Sequence, residues 1–202
     1  MRFTIVMTHY QGCIDHDRFI KCIESLNNQE FKDFELLCFH DGPLLDESVE
    51  LPCEVQFTEE RYNDWGHTLR NIGIEQAEGE YIIHTNSDNI FYPNALKELD
   101  KRIRLDNPSM VIYFVKMMGM EKDWVKNIIK YDNPRDYSKW HLLMGYPLEY
   151  GNLDCMQLVM KTDLWKKETW YDTREQGDGV MYQKFGQKYD YKYVHKILGE
   201  HY

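Results

Sequence analysis

The stretch Gly66-His67-Thr68-Leu69-Arg70-Asn71-Ile72-Gly73-Ile74-Glu75-Gln76-Ala77-Glu78-Gly79-Glu80-Tyr81-Ile82-Ile83-His84-Thr85-Asn86-Ser87-Asp88-Asn89 decides the fold. Leu69, Ile72, Gly73 and Gln76 recur on one side at helical spacing, and Glu78-Gly79 stops the helix. Tyr81 to His84 then reads as a strand that runs straight into the polar turn Thr85-Asn86-Ser87-Asp88-Asn89. A carboxylate where a buried strand gives way to a turn is held rigidly by the sheet, and Asn86 faces the same way by strand period. Mg²⁺ or Mn²⁺ beside a phosphate needs only one or two such carboxylates. Asx-rich turns also follow strands for purely conformational reasons, so by itself this segment leaves both readings open.

Outward from that segment, strands and helices alternate. Phe3 to Thr8 is a β-branched run that ends in His9-Tyr10-Gln11-Gly12. Phe19, Ile20, Ile23 and Leu26 follow at helical spacing, with Asp15 or Asp17 available as a cap. Phe34 to Phe39 is a second strand stopped by Asp41-Gly42-Pro43, and a weaker one spans Glu54 to Phe57. A helix is expected from about Asn94 to Leu105 and a strand from Met110 to Val115. Strands separated by helices of this length build a mostly parallel sheet covered on both faces, with ligands outside the strand C-termini. His9, Asp41, Arg61 and Asp88 all fall at or just beyond strand exits.

The second half is less regular. Trp124, Val125, Ile128 and Ile129 suggest a helix, Tyr131 to Tyr150 a long loop, and Cys155 to Met160 a strand. Asp163-Leu164-Trp165 begins a helical turn, Asp178 heads a helix through Met181, Tyr182 and Phe185, and Tyr191 to Val194 reads as a last strand.

Composition narrows the function. The chain has 202 residues and a net charge of −10, which argues against a phosphate-backbone partner, so no nucleic acid is expected. With 43% hydrophobic residues it builds a real core. Five cysteines stand singly without a zinc-type spacing, which favours a reducing compartment. The start, MRFTIVMTHYQG, has neither the longer apolar stretch nor the small-residue cleavage site expected of a signal peptide, and no apolar window reaches membrane-span length. A cytoplasmic location is therefore expected. No Gly-x-Gly-x-x-Gly, Walker loop, nucleophile elbow or His-Glu-x-x-His occurs.

The helix with Arg70-Asn71-Ile72-Gly73, the junction Ala77-Glu78-Gly79-Glu80-Tyr81-Ile82 and the strand end Asn86-Ser87-Asp88 together resemble family 2 glycosyltransferases of the GT-A fold. The likeness is strong from about Phe3 to Leu99. It implies an α/β fold with a mostly parallel, Rossmann-like sheet flanked by helices. It implies one domain over residues 1–202, with a nucleotide-binding half (1–105) and an acceptor-binding half (106–202), whole or cut from a longer protein. The activity it implies is inverting transfer of a sugar from a nucleoside-diphosphate sugar to a hydroxyl acceptor such as a glycan, assisted by Mn²⁺ or Mg²⁺. The family's Asp-x-Asp motif appears here as Asn86-Ser87-Asp88, so the later carboxylate, Asp88, is the implied metal ligand.

By the same resemblance, Thr8, His9 and Tyr10 lie against the nucleobase, Asp41 hydrogen-bonds its edge, Arg61 reaches base or diphosphate, and Asn86 binds sugar. Asp41 also reads as a strand-terminating Asp-Gly turn, and Arg61 as a surface cation paired with Glu59 or Glu60. The segment Trp170 to Phe185 is similar to the family's acceptor side, whose acidic pair at a helix start survives only as Asp178, with Gly177 at the other place. Asp178 is the candidate base, a helix N-cap the competing role, and Asp154 and Asp172 the alternatives. A helix-start position is expected to lower its pKa. A late metal-ligating histidine matches His201, with His195 as competitor. A sugar-phosphate nucleotidyltransferase, or a non-catalytic sugar- or nucleotide-binding domain of the same fold, are the alternative readings.

Overall fold

The computed structural model describes residues 1–118, 129–130, 140–171 and 177–202, with backbone alone at 129–130 and 140–141. Three parallel strands form its first half: β1 (Phe3–His9) lies between β2 (Phe34–His40) and β4 (Tyr81–Asn86), and β3 (Gln56–Phe57) adds to β2. The expected α1 spans His16–Asn27, capped by Asp15, whose carboxylate accepts from the backbone N–H of Asp17 and Arg18. The decisive segment forms α2 (His67–Gln76) and then β4. Within α2 the buried side carries Leu69, Arg70, Gly73 and Ile74, whereas Gln76 is exposed.

After the short β5 (Ile90–Phe91) and α3 (Ala95–Asp106) comes β6 (Met110–Met118). The second half then reverses direction. β9 (Leu158–Lys161) is inserted antiparallel between β4 and β6, while β10 (Tyr191–His201) runs parallel to β6. The sheet is therefore mixed, ordered β3-β2-β1-β4-β9-β6-β10-β5. Ile129 and Lys130 form β7, not the end of a helix, and Trp140–Leu143 form β8, not loop; β8 pairs antiparallel with both β6 and β7. The helical expectation at Trp124, Val125 and Ile128 lies outside the described residues. Cys155–Gln157 make a single 3-10 turn, so β9 starts at Leu158.

Strand alternation splits the core in two. Phe3, Ile5 and Met7 of β1 face α1 and α3, where Phe19, Ile23, Leu96 and Leu99 are buried. Val6 faces the other side, with Leu69 and Ile74 of α2, Trp165 of α4 (Thr162–Glu168), and Met181 and Phe185 of α5 (Gly177–Lys188). Gly79 lets the α2–β4 junction lie directly on β1, since a Cβ there would stand 2.4 Å from the Thr4 nitrogen. The C-terminal ends of β1, β2 and β4 consequently open on one edge, where the polar residues gather.

Candidate functional site

Two adjoining cavities occupy that edge. The first, about 250 Å³, is bounded by Thr8, His9, Tyr10, Asp41, Asn86 and Asp88. The second, about 280 Å³, is bounded by Arg70, Asp154, Cys155, Trp170, Asp178 and His201. Trp65 and Asn86 line both and form the seam between them. Of the strand-exit residues expected from the sequence, His9, Asp41 and Asp88 converge on the first cavity, and Arg61 stands behind Asp41 and Tyr10 without lining it. Asp178 and His201 converge on the second, joined by Asp154.

In the first cavity His9 is buried against Phe19, with ring centroids 4.1 Å apart, and its Nδ1 meets Ser87 Oγ at 2.7 Å. Burial, followed by His40 and His16, pushes its pKa down to about 4, so the ring is neutral at physiological pH. Asp41 closes the loop after β3: its two carboxylate oxygens accept from the backbone N–H of Tyr62 (2.7 Å) and Asn63 (3.0 Å). Arg61 lies 3.6 Å from the same carboxylate and 3.5 Å over the Tyr10 ring. Its partner is Asp41, not Glu59 or Glu60.

Asp88 sits in the turn after β4 with one carboxylate oxygen, Oδ1, buried and without a hydrogen-bond partner among the described residues. Burial raises its pKa, and the strongest opposing influence is His201. A buried carboxylate oxygen without a partner, with an imidazole near enough to oppose its burial, has the donor chemistry of a hard-cation ligand set. His201 lies at the end of β10, its Nδ1 3.3 Å from Asp154 Oδ2. His195, six residues earlier and roughly 20 Å up the strand by its rise, is exposed beside Phe114 and Tyr193. The two histidines do not meet at one site.

In the second cavity Asp154, Cys155 and Asp178 bring their ligand atoms within 4.8 Å of one another, a group able to gather on a cation. Arg70 Nη2 approaches Cys155 Sγ at 3.6 Å, and burial holds that thiol well above its ordinary pKa. A cation there would have to displace both the guanidinium and the thiol proton. The Asp178 carboxyl accepts from Gly179 N–H at 2.7 Å, yet its pKa is pushed up to about 7, first by burial and then by Asp154. The lowering expected from the helix start is overturned because desolvation and a like charge outweigh a helix end. Asp172, the other alternative base, lies outside the described residues.

Arg70, read from the sequence only as part of a helix, is the hub. Only 2% exposed, it donates to the Trp65 carbonyl and to Asn86 Oδ1, both at 2.7 Å, and lies 4.9 Å over Trp170. Asn71 holds Trp170 in place through reciprocal bonds to its backbone N–H (2.6 Å) and carbonyl (2.8 Å), a structural role.

The fold is shared with solved structures of TarS from S. aureus. A fragment covering residues 1–349 of that protein superposes with a TM-score of 0.71 at 18% identity, over 99% of this chain and 60% of the other. The same fragment has been solved with UDP and with UDP-GlcNAc. An uncharacterized glycosyltransferase of Rickettsia bellii is 32% identical over 83 residues, 39% of this chain and 12% of the relative. One from Rickettsia typhi is 25% identical over 157 residues, 75% of this chain and 48% of the relative. The chain thus spans less than half the length of these curated relatives. The sequence model described as Glycosyl transferase family 2 matches residues 4–166, and the chain belongs to that family.

Proposed function

We propose that the chain catalyses metal-assisted, inverting transfer of a sugar from a nucleoside-diphosphate sugar to a hydroxyl acceptor. The observation that carries this reading is the seam. A cavity with an orphaned acidic oxygen at Asp88 adjoins one holding a carboxyl whose pKa is raised to about 7 at Asp178. Thr8, His9, Tyr10, Asp41 and Arg61 surround the nucleotide. Asp88 and His201 hold Mn²⁺ or Mg²⁺, which when bound takes up the negative charge that develops on the departing diphosphate.

Asp178 accepts the acceptor's hydroxyl proton as that oxygen bonds to the anomeric carbon and the bond to the diphosphate breaks. A base titrating near the working pH balances ionised fraction against proton affinity. Trp65, 60% exposed at the seam, offers an aromatic face to a sugar ring. The UDP and UDP-GlcNAc complexes of TarS support uridine diphosphate sugars as the first donors to try. The test is incubation with a panel of nucleotide sugars, Mn²⁺ and glycan acceptors, with the anomeric configuration of the product read by NMR. Retained configuration would refute the inverting mechanism, and failure to bind any nucleotide sugar would refute the reading.

A further inference from the structure

The crossover from β2 to β3 contains no helix. Parallel strands are usually joined through a helix that covers the sheet, but residues 41–55 return as bends and irregular chain to β3, which pairs with Phe39 and His40. A row of half-buried side chains, Leu51, Cys53 and Val55, packs this return on the core cluster that contains Cys38, while Glu54 and Gln56 are exposed. There Cys53 meets Cys38: the two thiols share a hydrogen bond, and both are free of any disulfide. Cys38, on β2, is 2% exposed, whereas Cys53 is reachable from solvent. The bond from Cys38 holds the Cys53 thiol below its ordinary pKa, and the same bond with burial holds Cys38 well above it. Cys22 of α1, wholly buried, is engaged elsewhere, its thiol donating to the Asn86 carbonyl at 3.9 Å.

We infer that Cys38 and Cys53 are a peroxide-responsive dithiol whose disulfide staples the β2–β3 crossover to β2. The inference is independent of the nucleotide-sugar reading above. The reachable Cys53 sulfur, as thiolate, attacks one oxygen of a peroxide. The O–O bond breaks, Cys53 becomes a sulfenic acid, and the departing hydroxide takes the proton that Cys53 released. The Cys38 sulfur then attacks the Cys53 sulfur and gives up its own proton, and the sulfenic oxygen leaves as water. Two thiols and one hydrogen peroxide thus yield one disulfide and two waters, a two-electron oxidation that a dithiol reductant reverses. The ring closed in this way, residues 38–53, contains Asp41 at the rim of the first cavity. Oxidation therefore braces the one strand-to-strand crossover of the first half that has no helix to hold it.

The test starts from Cys13→Ser, which removes the exposed thiol, treated with hydrogen peroxide, alkylated and mapped by peptide mass spectrometry. Two of its four remaining thiols are expected to disappear together in a Cys38–Cys53 cross-link within one chain. The oxidised form should melt above the reduced form and return to it with dithiothreitol. In the same background Cys38→Ser should stop at the Cys53 sulfenic acid, trapped by dimedone, and Cys53→Ser should lose no pair of thiols. If Cys38→Ser does not fold, the mapped cross-link and Cys53→Ser carry the test. A cross-link between any other pair, or pairwise loss in Cys53→Ser, overturns the inference. So do four thiols left intact under peroxide that converts free cysteine to cystine, and an oxidised form that melts no higher than the reduced one.

Discussion

His201 Nδ1 stands 3.3 Å from Asp154 Oδ2, which ties the end of the last strand to the floor of the second cavity. Asp154 is held in turn by the 3-10 turn it caps, where its Oδ1 accepts from Met156 N–H at 3.0 Å. Its charge is also the second cause of the raised Asp178 pKa. One carboxylate thus touches the His201 imidazole and adds to the burial that raises the pKa of the candidate base.

Asp178→Asn removes the proposed base and keeps the shape. Turnover is expected to fall by about 10²–10⁴-fold with nucleotide affinity unchanged. In the parent, the rate should rise with pH through an ionisation near about 7. Transfer by the variant at close to the parent rate would move the base to Asp154 or Asp172.

Stability supplies a readout of Asp178 that does not depend on substrate. The native carboxyl keeps its proton up to about 7, whereas an ordinary aspartate loses it near 3.8. Between those values the native state binds more protons than the unfolded one, so this group's contribution falls as pH rises. The melting temperature of Asp178→Asn should therefore gain on the parent's from pH 4 to pH 8. A constant difference across that range would show that the carboxyl is not desolvated.

The parts of the fold that the sequence made legible are those set by local periodicity. The α2 spacing, the Gly79 stop and the β4 run each declare themselves within a few residues, and Asp15 caps α1 as its position suggests. The strand β8 does not, because Trp140–Leu143 become a strand by pairing with Val115–Met118 and with Ile129–Lys130, both distant in sequence. Likewise the Asp178 environment depends on Asp154, 24 residues away, and no helix-end rule contains that information. Arg70 was hidden for the opposite reason. A cation in a helical pattern reads as a solvated face, and only the packing of Trp170 and Cys155 from the second half buries it.

Asp88→Ala should abolish the Mn²⁺ dependence of nucleotide binding. With the orphaned oxygen gone, the affinities measured with Mn²⁺ and with chelator are expected to converge on the weaker, metal-free value. Titrations that still separate by tenfold or more would place the cation elsewhere, and the Asp154, Cys155 and Asp178 group would be the next to mutate.

Asp41 carries two loads that a pair of variants separates. Its carboxylate holds the loop after β3 through the Tyr62 and Asn63 N–H groups, and it borders the first cavity with lone pairs to spare for the base edge proposed there. Asp41→Ala leaves both N–H groups without this partner and frees Arg61, so a loss of about 1–3 kcal/mol in stability is expected, with weaker nucleotide binding. Asp41→Asn keeps one acceptor oxygen for the loop but puts a donor where a base N–H would approach. It should melt between Asp41→Ala and the parent and discriminate UDP from GDP and ADP less well than the parent. If Asp41→Asn recovers stability and keeps the parent's base preference, Asp41 serves the loop alone, and base selection falls to the Thr8-His9-Tyr10 side of the cavity.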